Sequence, residues 1–120
     1  MNSIVFPGLD LDDTPMEEFR YLAHWCFAML TLDTSDGSRV ELLFTGTLAH
    51  RFQPAPVREH LRIDGAYPRT LMRRERSPWM AALARKLDRT GDVLPQGLKH
   101  YVVPTNDGVW ECLALDVVLR

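Results

Sequence analysis

The end of the chain constrains its fold most, because two strand-forming runs there flank a turn. Residues 98–103 read LKHYVV and residues 109–119 read VWECLALDVVL, and both runs are rich in β-branched and aromatic side chains. Residues 104–108, PTNDG, supply the Asn, Asp and Gly that favour a tight reversal. This combination predicts a β-hairpin. Because the last run is mostly apolar on both faces, we expect that strand to lie inside a sheet.

A second hairpin is predicted in the first half. Residues 21–32 are almost continuously apolar, and the turn-rich residues 33–38, DTSDGS, separate them from a β-rich run over 39–44. Periodicity alone does not separate a buried strand from a buried helix in the first run, but the turn that follows favours a strand. We expect the second strand to continue to Phe52 past a bulge or bend at Gly46, since a lone Gly in a strand pattern often marks one.

One amphipathic helix is predicted after the irregular, proline-interrupted residues 53–76. Ser77 is a favoured N-cap, and Pro78 then occupies the first helical position, where its missing N–H costs nothing. Gly91 ends the helix. This helix carries one apolar stripe, formed by Met80, Leu83, Ala84 and Leu87.

A further helical turn is predicted over residues 15–20, capped by Asp13 or Thr14.

These elements predict a single α+β domain over residues 1–120. We expect an antiparallel sheet of about four to six strands, with the helix from Ser77 to Arg89 packed on one face. A chain that is 46% hydrophobic and 25% charged has the composition of an ordinary globular protein. At 120 residues it is long enough to bury a core without disulfide or metal cross-links.

Charge and hydropathy argue against several classes of protein. The formal net charge of -2 is unusual for a general nucleic-acid binder, which is normally clearly basic. No stretch approaches the ~20 apolar residues that cross a bilayer, and the start, MNSIVFP, lacks the basic and apolar regions of a secretory signal. We therefore expect a soluble cytoplasmic protein without membrane association. Cys26 and Cys112 lie in apolar runs and are expected to be buried free thiols, with a disulfide between them as the alternative.

The residues that carry chemistry form no complete catalytic or metal-binding motif. The four histidines lack the paired spacing of zinc ligands, so we expect no metal and no cofactor. Cys112 and His100 lie on the two strands of the terminal hairpin, yet an apolar environment raises a thiol pKa rather than lowering it. We therefore expect no catalytic residue. The alternative is a small-molecule-binding module or a minor enzyme whose pocket is lined by His24, His50, His100 and Cys112.

Two charged segments are candidate partner-binding surfaces. The first is acidic and suits a basic partner. The second is a block of arginines, a residue that is enriched at protein interfaces, and it also provides the alternative of a nucleic-acid-associated regulator. The aromatic Trp79 beside the arginines suits an interface anchor, whereas Trp25 and Trp110 are expected to pack inside strands. The partner-binding candidates are Asp10, Asp12, Asp13, Glu17, Glu18, Arg69, Arg73, Arg74, Arg76 and Trp79.

Three segments resemble parts of a group of small bacterial proteins. Residues 98–114, with a Lys-His-Tyr strand, a turn with Asp and an aromatic-Glu-Cys strand, resemble the closing hairpin of that group. The helix start at residues 77–79 and the strand at residues 46–52 look like it as well. Small α+β proteins of this type are similar to immunity proteins of bacterial toxin systems, which neutralise a toxin by binding it. The group has no catalytic motif to carry over to this chain.

The leading hypothesis is therefore a non-catalytic protein-binding domain and not an enzyme. The resemblance implies an immunity protein whose partner is a cognate toxin, neutralised by occlusion. In this hypothesis the acidic cluster or the arginine block steers the partner, and an aromatic such as Trp79 anchors it.

Overall fold

Antiparallel strands make up most of the fold. The computed structural model describes residues 2–12, 16–54 and 68–120. The described helical residues form a single 3₁₀ turn over Ala23–Trp25 and the helix α1 over Pro78–Asp88. The strands are β1 (Asn2–Ile4), β2 (Glu18–Leu22), β3 (Phe27–Asp33), β4 (Arg39–Thr45), β5 (Ala49–Pro54), β6 (Met72–Arg74), β7 (Lys99–Pro104), β8 (Gly108–Ala114) and β9 (Asp116–Leu119).

The strands form two sheets that share one apolar core. One sheet has the order β1-β6-β7-β8-β5, the other has the order β2-β3-β4-β9, and neighbouring strands are antiparallel in both. Between them, the ring of Phe44 on β4 lies 5.6 Å from that of Tyr101 on β7. The predicted antiparallel α+β character is confirmed. The predicted strand number is wrong, since the described residues form nine strands in two sheets rather than one sheet of four to six.

The terminal hairpin is confirmed, but its second strand ends early. β7 pairs with β8 from Lys99 opposite Ala114 to Pro104 opposite Val109. The chain then leaves this sheet at Leu115, and β9 pairs with β4 in the other sheet. The mostly apolar run does not reveal this crossing, because Ala114 before it and Val117 after it are buried in the same core.

Gly46 is the bend by which the chain crosses between the sheets in the opposite direction. Its φ of 60° lies in the left-handed region that glycine adopts easily, and it separates β4 in one sheet from β5 in the other. The two crossings touch, because a Cβ on Gly46 would lie 2.7 Å from Cδ1 of Leu115. The expected single strand through Gly46 is therefore two strands in different sheets.

The apolar run over 21–32 is also two strands rather than one. β2 and β3 pair with each other, and the 3₁₀ turn between them ends at Cys26, whose φ of 52° is left-handed. The predicted helical turn over 15–20 is wrong, because Glu18 begins β2, while Asp13, Thr14 and Pro15 lie outside the described residues. Local charge favours a helix start there, but pairing with β3 satisfies the backbone of β2 instead.

Helix α1 is confirmed in its bounds and only partly in its packing. Ser77 caps it by accepting the backbone N–H of Met80 at 3.0 Å, and Pro78 is its first residue. Its apolar stripe is half-buried, and none of its residues is fully buried. The helix is thus a minor element that does not fill a face of the sheet. In the described part of the chain, no helix is long and apolar enough to cross a membrane.

The proline-interrupted middle contains one strand that the sequence pattern does not show. β6 lies between β1 and β7 in the five-stranded sheet, with Met72 opposite Val102. Its three residues are too short for a period-2 pattern to stand out. Residues 55–67 lie outside the described ranges.

Replacing Gly46 with Ala is expected to lower the free energy of unfolding by about 2–3 kcal/mol, because it combines a left-handed φ with a steric clash against Leu115. Gly91 is the matched control, since its φ is 80° and a Cβ there meets nothing within 4 Å. Gly91→Ala should cost only about 1 kcal/mol. Urea unfolding midpoints measure both values. In a Leu115→Ala background the excess cost at Gly46 should fall, because Cδ1 and Cγ at 2.7 and 2.8 Å are removed and only Cβ at 3.1 Å remains. Equal costs at both glycines in the wild-type background would contradict this account.

Candidate functional site

A cluster of polar side chains is buried on one face of the five-stranded sheet. Side chains alternate along a strand, so His100 and Glu111 lie on the face opposite to the core residues Tyr101 and Cys112. His100 is 0% exposed and Glu111 is 4% exposed. Burying a carboxylate and an imidazole is costly unless both are hydrogen-bonded. The hydrogen-bond partners of His100 and Glu111 therefore determine the chemistry that is available on this face of the sheet.

Glu111 accepts hydrogen bonds from three side chains. His100 Nε2 lies 2.7 Å from its Oε1, and Arg51 Nε donates to its Oε2 at 2.9 Å. Gln53 Nε2 donates to Oε2 as well. Burial raises the pKa of Glu111, but these bonds and the charge of Arg51 outweigh it and bring the pKa to about 2. Glu111 is therefore a carboxylate at neutral pH.

The ionised Glu111 sets the roles of the two nitrogens of His100. A carboxylate only accepts hydrogen bonds, so Nε2 of His100 carries a hydrogen and donates it to Glu111. In the neutral ring, Nδ1 is then an acceptor, and Ser77 Oγ lies 2.6 Å from it. The hydroxyl of Ser77 donates to His100 while it accepts the N–H of Met80. The result is a chain of hydrogen bonds from Ser77 through His100 to Glu111.

Trp79 covers this cluster rather than projecting as an anchor. Its ring is half-buried and lies edge-on to His100, with 5.4 Å between ring centroids. The guanidinium of Arg51 stacks over it at 4.0 Å. Sequence reasoning placed Trp79 beside the arginines as a partner-binding residue, whereas its contacts are internal.

A cavity of about 280 Å³ adjoins the cluster at the N-terminus of α1. Ser77 and Met80 line it from the helix side, and Arg74 and Lys99 line it from the sheet. Nε of Arg74 is a buried donor without a hydrogen-bond partner. The cavity therefore places a hydroxyl and an unsatisfied cationic donor around one small volume.

The predicted arginine block is divided between a strand and the residues beside it. Arg73 and Arg74 are adjacent on β6, and both line the cavity at the N-terminus of α1. Arg73 also pairs with Glu75, with 3.5 Å between Nη2 and Oε2. Arg69 and Arg76 are exposed outside the strand. Contact of these arginines with nucleic acid stays a prediction.

The acidic candidates lie along one edge of the four-stranded sheet. Asp10 and Asp12 are exposed beside the end of β3, where Asp10 accepts a hydrogen bond from Ser35 at 2.8 Å. Glu18 pairs with Arg20 on β2 at 2.8 Å. Glu17 accepts from Trp110 Nε1 at 2.8 Å and so joins the two sheets. Asp13 lies outside the described residues.

An exposed apolar surface at the far end of the same edge was missed by sequence reasoning. Trp25 is 65% exposed and Leu22 is 55% exposed, and Tyr21 and Leu48 are exposed as well. We call these four residues the Trp25 surface; Tyr21 and Leu22 are adjacent on the edge strand β2, so their side chains lie on opposite faces of it. A tryptophan within an almost continuous apolar run resembles a core residue, so the sequence contains no signal of its exposure. The 3₁₀ turn is what brings Trp25 to the outside.

Among the described residues, His24, His50, His100 and Cys112 do not converge on one cavity. His24 lies edge-on to Trp25, and His50 lies between Phe19 and Tyr21 on the opposite face of the sheet from His100. Cys112 is buried in the core. Within the described residues, no group of three or more His, Cys, Asp or Glu side chains is arranged to hold a metal ion. The pocket expected for a small-molecule module is therefore not built from these residues.

The two cysteines differ in their surroundings. Both are free thiols, and Cys112 is buried as expected. The expectation that Cys26 is buried is wrong, because the turn at its left-handed φ leaves it exposed. Burial raises the pKa of Cys112 to about 12, so its thiol is protonated and inert at neutral pH.

Comparison of the chain with models of known protein families, with curated proteins and with solved structures finds no match.

Protonation of Glu111 is expected to destabilise the fold. Its pKa in the folded state, about 2, lies below its ordinary value of 4.5. Its contribution is therefore complete above pH 4.5 and is lost as the pH falls towards 2, by up to about 3 kcal/mol. Urea unfolding between pH 2 and 7 should show this loss in the wild type. Glu111→Gln should be less stable at pH 7 and lose less stability across that window, whereas parallel curves would contradict the assignment.

The two thiols are expected to react at different rates with Ellman's reagent. Folded protein at pH 8 should release one equivalent rapidly, from Cys26, and a second only in denaturant, because Cys112 is buried and protonated. Cys26→Ser should remove the rapid equivalent, and Cys112→Ser should keep it. Two rapid equivalents in the folded wild type would refute the burial of Cys112.

Proposed function

We propose that this chain binds another protein along the edge of the four-stranded sheet that carries the Trp25 surface. The partner we infer is a bacterial toxin with a basic surface, which the chain neutralises by occlusion. The observation that carries the proposal is the exposure of Trp25 among other large apolar side chains.

The Trp25 surface has the composition of an interaction hot spot. Water-exposed apolar patches on a folded protein commonly mark binding sites, and Trp and Tyr contribute most often to the binding energy of interfaces. The exposed parts of Trp25, Leu22 and Tyr21 gain no apolar burial from folding. A partner that covers them recovers that apolar burial.

The surface is held in one shape before any partner arrives. The backbone N–H of Thr47 donates to the carbonyl of Cys26 at 2.8 Å and ties the 3₁₀ turn to the loop before β5. His24 lies edge-on to the ring of Trp25, with 5.0 Å between centroids. A preorganised anchor loses less conformational entropy when it binds. Trp25 therefore suits insertion into a pocket of the partner.

The acidic end of the same edge suits a basic partner. Asp10, Asp12, Asp33 and Asp36 lie at the end of β3 and the turn that follows it. Hydrogen bonds lower the pKa of Asp33 and of Asp36, so both stay charged at neutral pH. From Asp33 back to Phe27, β3 spans roughly 20 Å at about 3.3 Å per residue. One interface of standard size can cover both ends.

The class of partner is inferred in two steps: residues 98–114 resemble the closing hairpin of a group of small bacterial proteins, and small α+β proteins of this type are similar to immunity proteins of toxin systems. Such proteins act by covering the working surface of a toxin. An acidic edge complements a toxin whose working surface is basic, as surfaces that contact nucleic acid are. Electrostatic steering then accelerates association, and the apolar anchor slows dissociation.

Trp25→Ala is expected to weaken binding to the toxin domain encoded beside this gene by about 30-fold, since an interface Trp contributes about 2 kcal/mol. Isothermal titration calorimetry measures the affinity, and growth of cells that express the toxin measures protection. The matched control is Val93→Ala, because Val93 is 85% exposed in the loop after α1.

Support requires a one-to-one complex with the wild type and with Val93→Ala, and a weaker complex with Trp25→Ala. The proposal fails if no toxin encoded beside this gene binds the folded wild type. It also fails if Trp25→Ala binds as tightly as Val93→Ala, since the Trp25 surface is then not the interface.

A further inference from the structure

In the buried polar cluster, the hydroxyl of Ser77 has the hydrogen-bond partners of an activated serine nucleophile. Ser77 Oγ lies 2.6 Å from His100 Nδ1, and His100 Nε2 lies 2.7 Å from Glu111 Oε1. A hydroxyl, a base and an orienting carboxylate in this order are the arrangement by which enzymes activate serine. In serine proteases the serine bonds to Nε2 of the histidine and the carboxylate bonds to Nδ1, whereas here Ser77 bonds to Nδ1 and Glu111 to Nε2. In both arrangements the proton passes from the serine oxygen to the ring nitrogen that faces it.

Regular elements hold each member of the chain of hydrogen bonds. Ser77 joins β6 to the first turn of α1, so its Oγ is oriented by the N–H of Met80. His100 and Glu111 lie on the paired strands β7 and β8. Arg51 on β5 donates hydrogen bonds to both carboxylate oxygens of Glu111, at 2.9 and 3.2 Å. Sites built on strands and helices keep their geometry better than sites on loops.

Ser77 is the member that a small molecule can reach. It lines the cavity of about 280 Å³ and is partly exposed, whereas His100 has no exposed surface. A volume of this size admits a small organic molecule and little more. His100, the base, is thereby shielded from water, while Ser77 is the residue of the pair that is exposed to the cavity.

The same cavity offers donors for negative charge. Nε of Arg74 is buried without a hydrogen-bond partner. In the first turn of α1, Pro78 has no N–H and the N–H groups of Met80 and Ala81 already donate to Ser77, so the helix contributes the positive end of its dipole. An oxyanion beside Ser77 would be stabilised by both. Arg73, which also lines the cavity, is paired with Glu75.

From these positions we propose that Ser77 is the nucleophile of a site that hydrolyses small carboxylic esters. Ser77 Oγ attacks the ester carbonyl carbon, and its proton passes to His100 Nδ1 as the new C–O bond forms. The carbonyl oxygen takes the negative charge, next to Arg74 and the start of α1. Collapse of this intermediate breaks the bond to the alcohol oxygen, which leaves with the proton from His100, and Ser77 is acylated.

Water completes the reaction by the same steps. It attacks the acyl carbon and gives one proton to His100, and the bond from the carbon to Ser77 Oγ breaks as Oγ takes that proton. The net change is ester plus water to acid plus alcohol, without any redox partner. Glu111 is a positioning residue, because it touches His100 and not the substrate, and it stabilises the imidazolium that forms transiently.

A fluorophosphonate probe tests the nucleophile directly. The folded wild type should gain one adduct per chain by intact mass, mapped by peptide digestion to Ser77, and the labelled protein should lose hydrolysis of 4-nitrophenyl acetate. Ser77→Asp should gain no adduct. Asp caps a helix as well as Ser does but cannot donate to His100 Nδ1, so this variant is compared at a temperature where its near-ultraviolet circular dichroism matches the wild type. Wild type in concentrated urea should not be labelled.

The positioning role of Glu111 has a separate readout. Glu111→Gln, at a temperature where its near-ultraviolet circular dichroism matches the wild type, should be labelled at least tenfold more slowly, since a misoriented base loses about 10²-fold in general-base catalysis. Labelling of that folded variant at the wild-type rate overturns the role of Glu111. Absence of an adduct on the folded wild type, an adduct elsewhere, or equal labelling in urea overturns the site itself.

These tests are independent of the toxin-binding proposal. The cavity beside Ser77 contains none of the Trp25 surface, and the labelling assay uses no partner. Either result therefore stands whatever the outcome of the other.

Discussion

A carboxylate that is buried yet ionised organises one side of this protein. Glu111 on β8 stays charged only because His100, Arg51 and Gln53 all donate to it, and these come from β7 and β5. An unpaired charge in this position would cost several kcal/mol. The three strands must therefore keep one register, since a slip by one residue turns every partner to the opposite face.

The same network explains how a helix without fully buried residues stays attached. Ser77 serves two structures at once, as the N-cap of α1 and as the hydrogen-bond partner of His100. Trp79, in the first turn, covers His100 and is itself covered by Arg51. Attachment thus rests on polar contacts at one end of the helix rather than on its apolar stripe.

The two proposed activities occupy separate parts of the fold. The edge of the four-stranded sheet carries the Trp25 surface and the acidic residues, whereas the five-stranded sheet carries the cavity beside Ser77. The core between the sheets is apolar and contains Cys112 in an environment that keeps its thiol protonated. A serine outside that core is the better candidate because a neutral hydroxyl is activated by a hydrogen-bonded base and not by a lowered pKa.

Sequence reasoning found the elements whose signals are local. The Asn-Asp-Gly turn predicted the terminal hairpin, the Asp-Gly turn predicted the pairing of β3 with β4, and Ser77-Pro78 marked the start of α1. Each depends on backbone preferences that act over a few neighbouring residues. The bend at Gly46 was visible for the same reason, although its role in joining two sheets was not.

Local sequence thus specifies where the chain turns and where α1 begins, because turn and cap energies depend on near neighbours. Packing between distant segments specifies which residues share a face and which are exposed to water. The chain leaves one sheet at Leu115, and β9 then pairs in the other sheet. The 3₁₀ turn exposes Trp25. Strand pairing brings together His100 and Glu111, which are 11 residues apart in the sequence. Those outcomes depend on burial and pairing between distant segments, which no local pattern records.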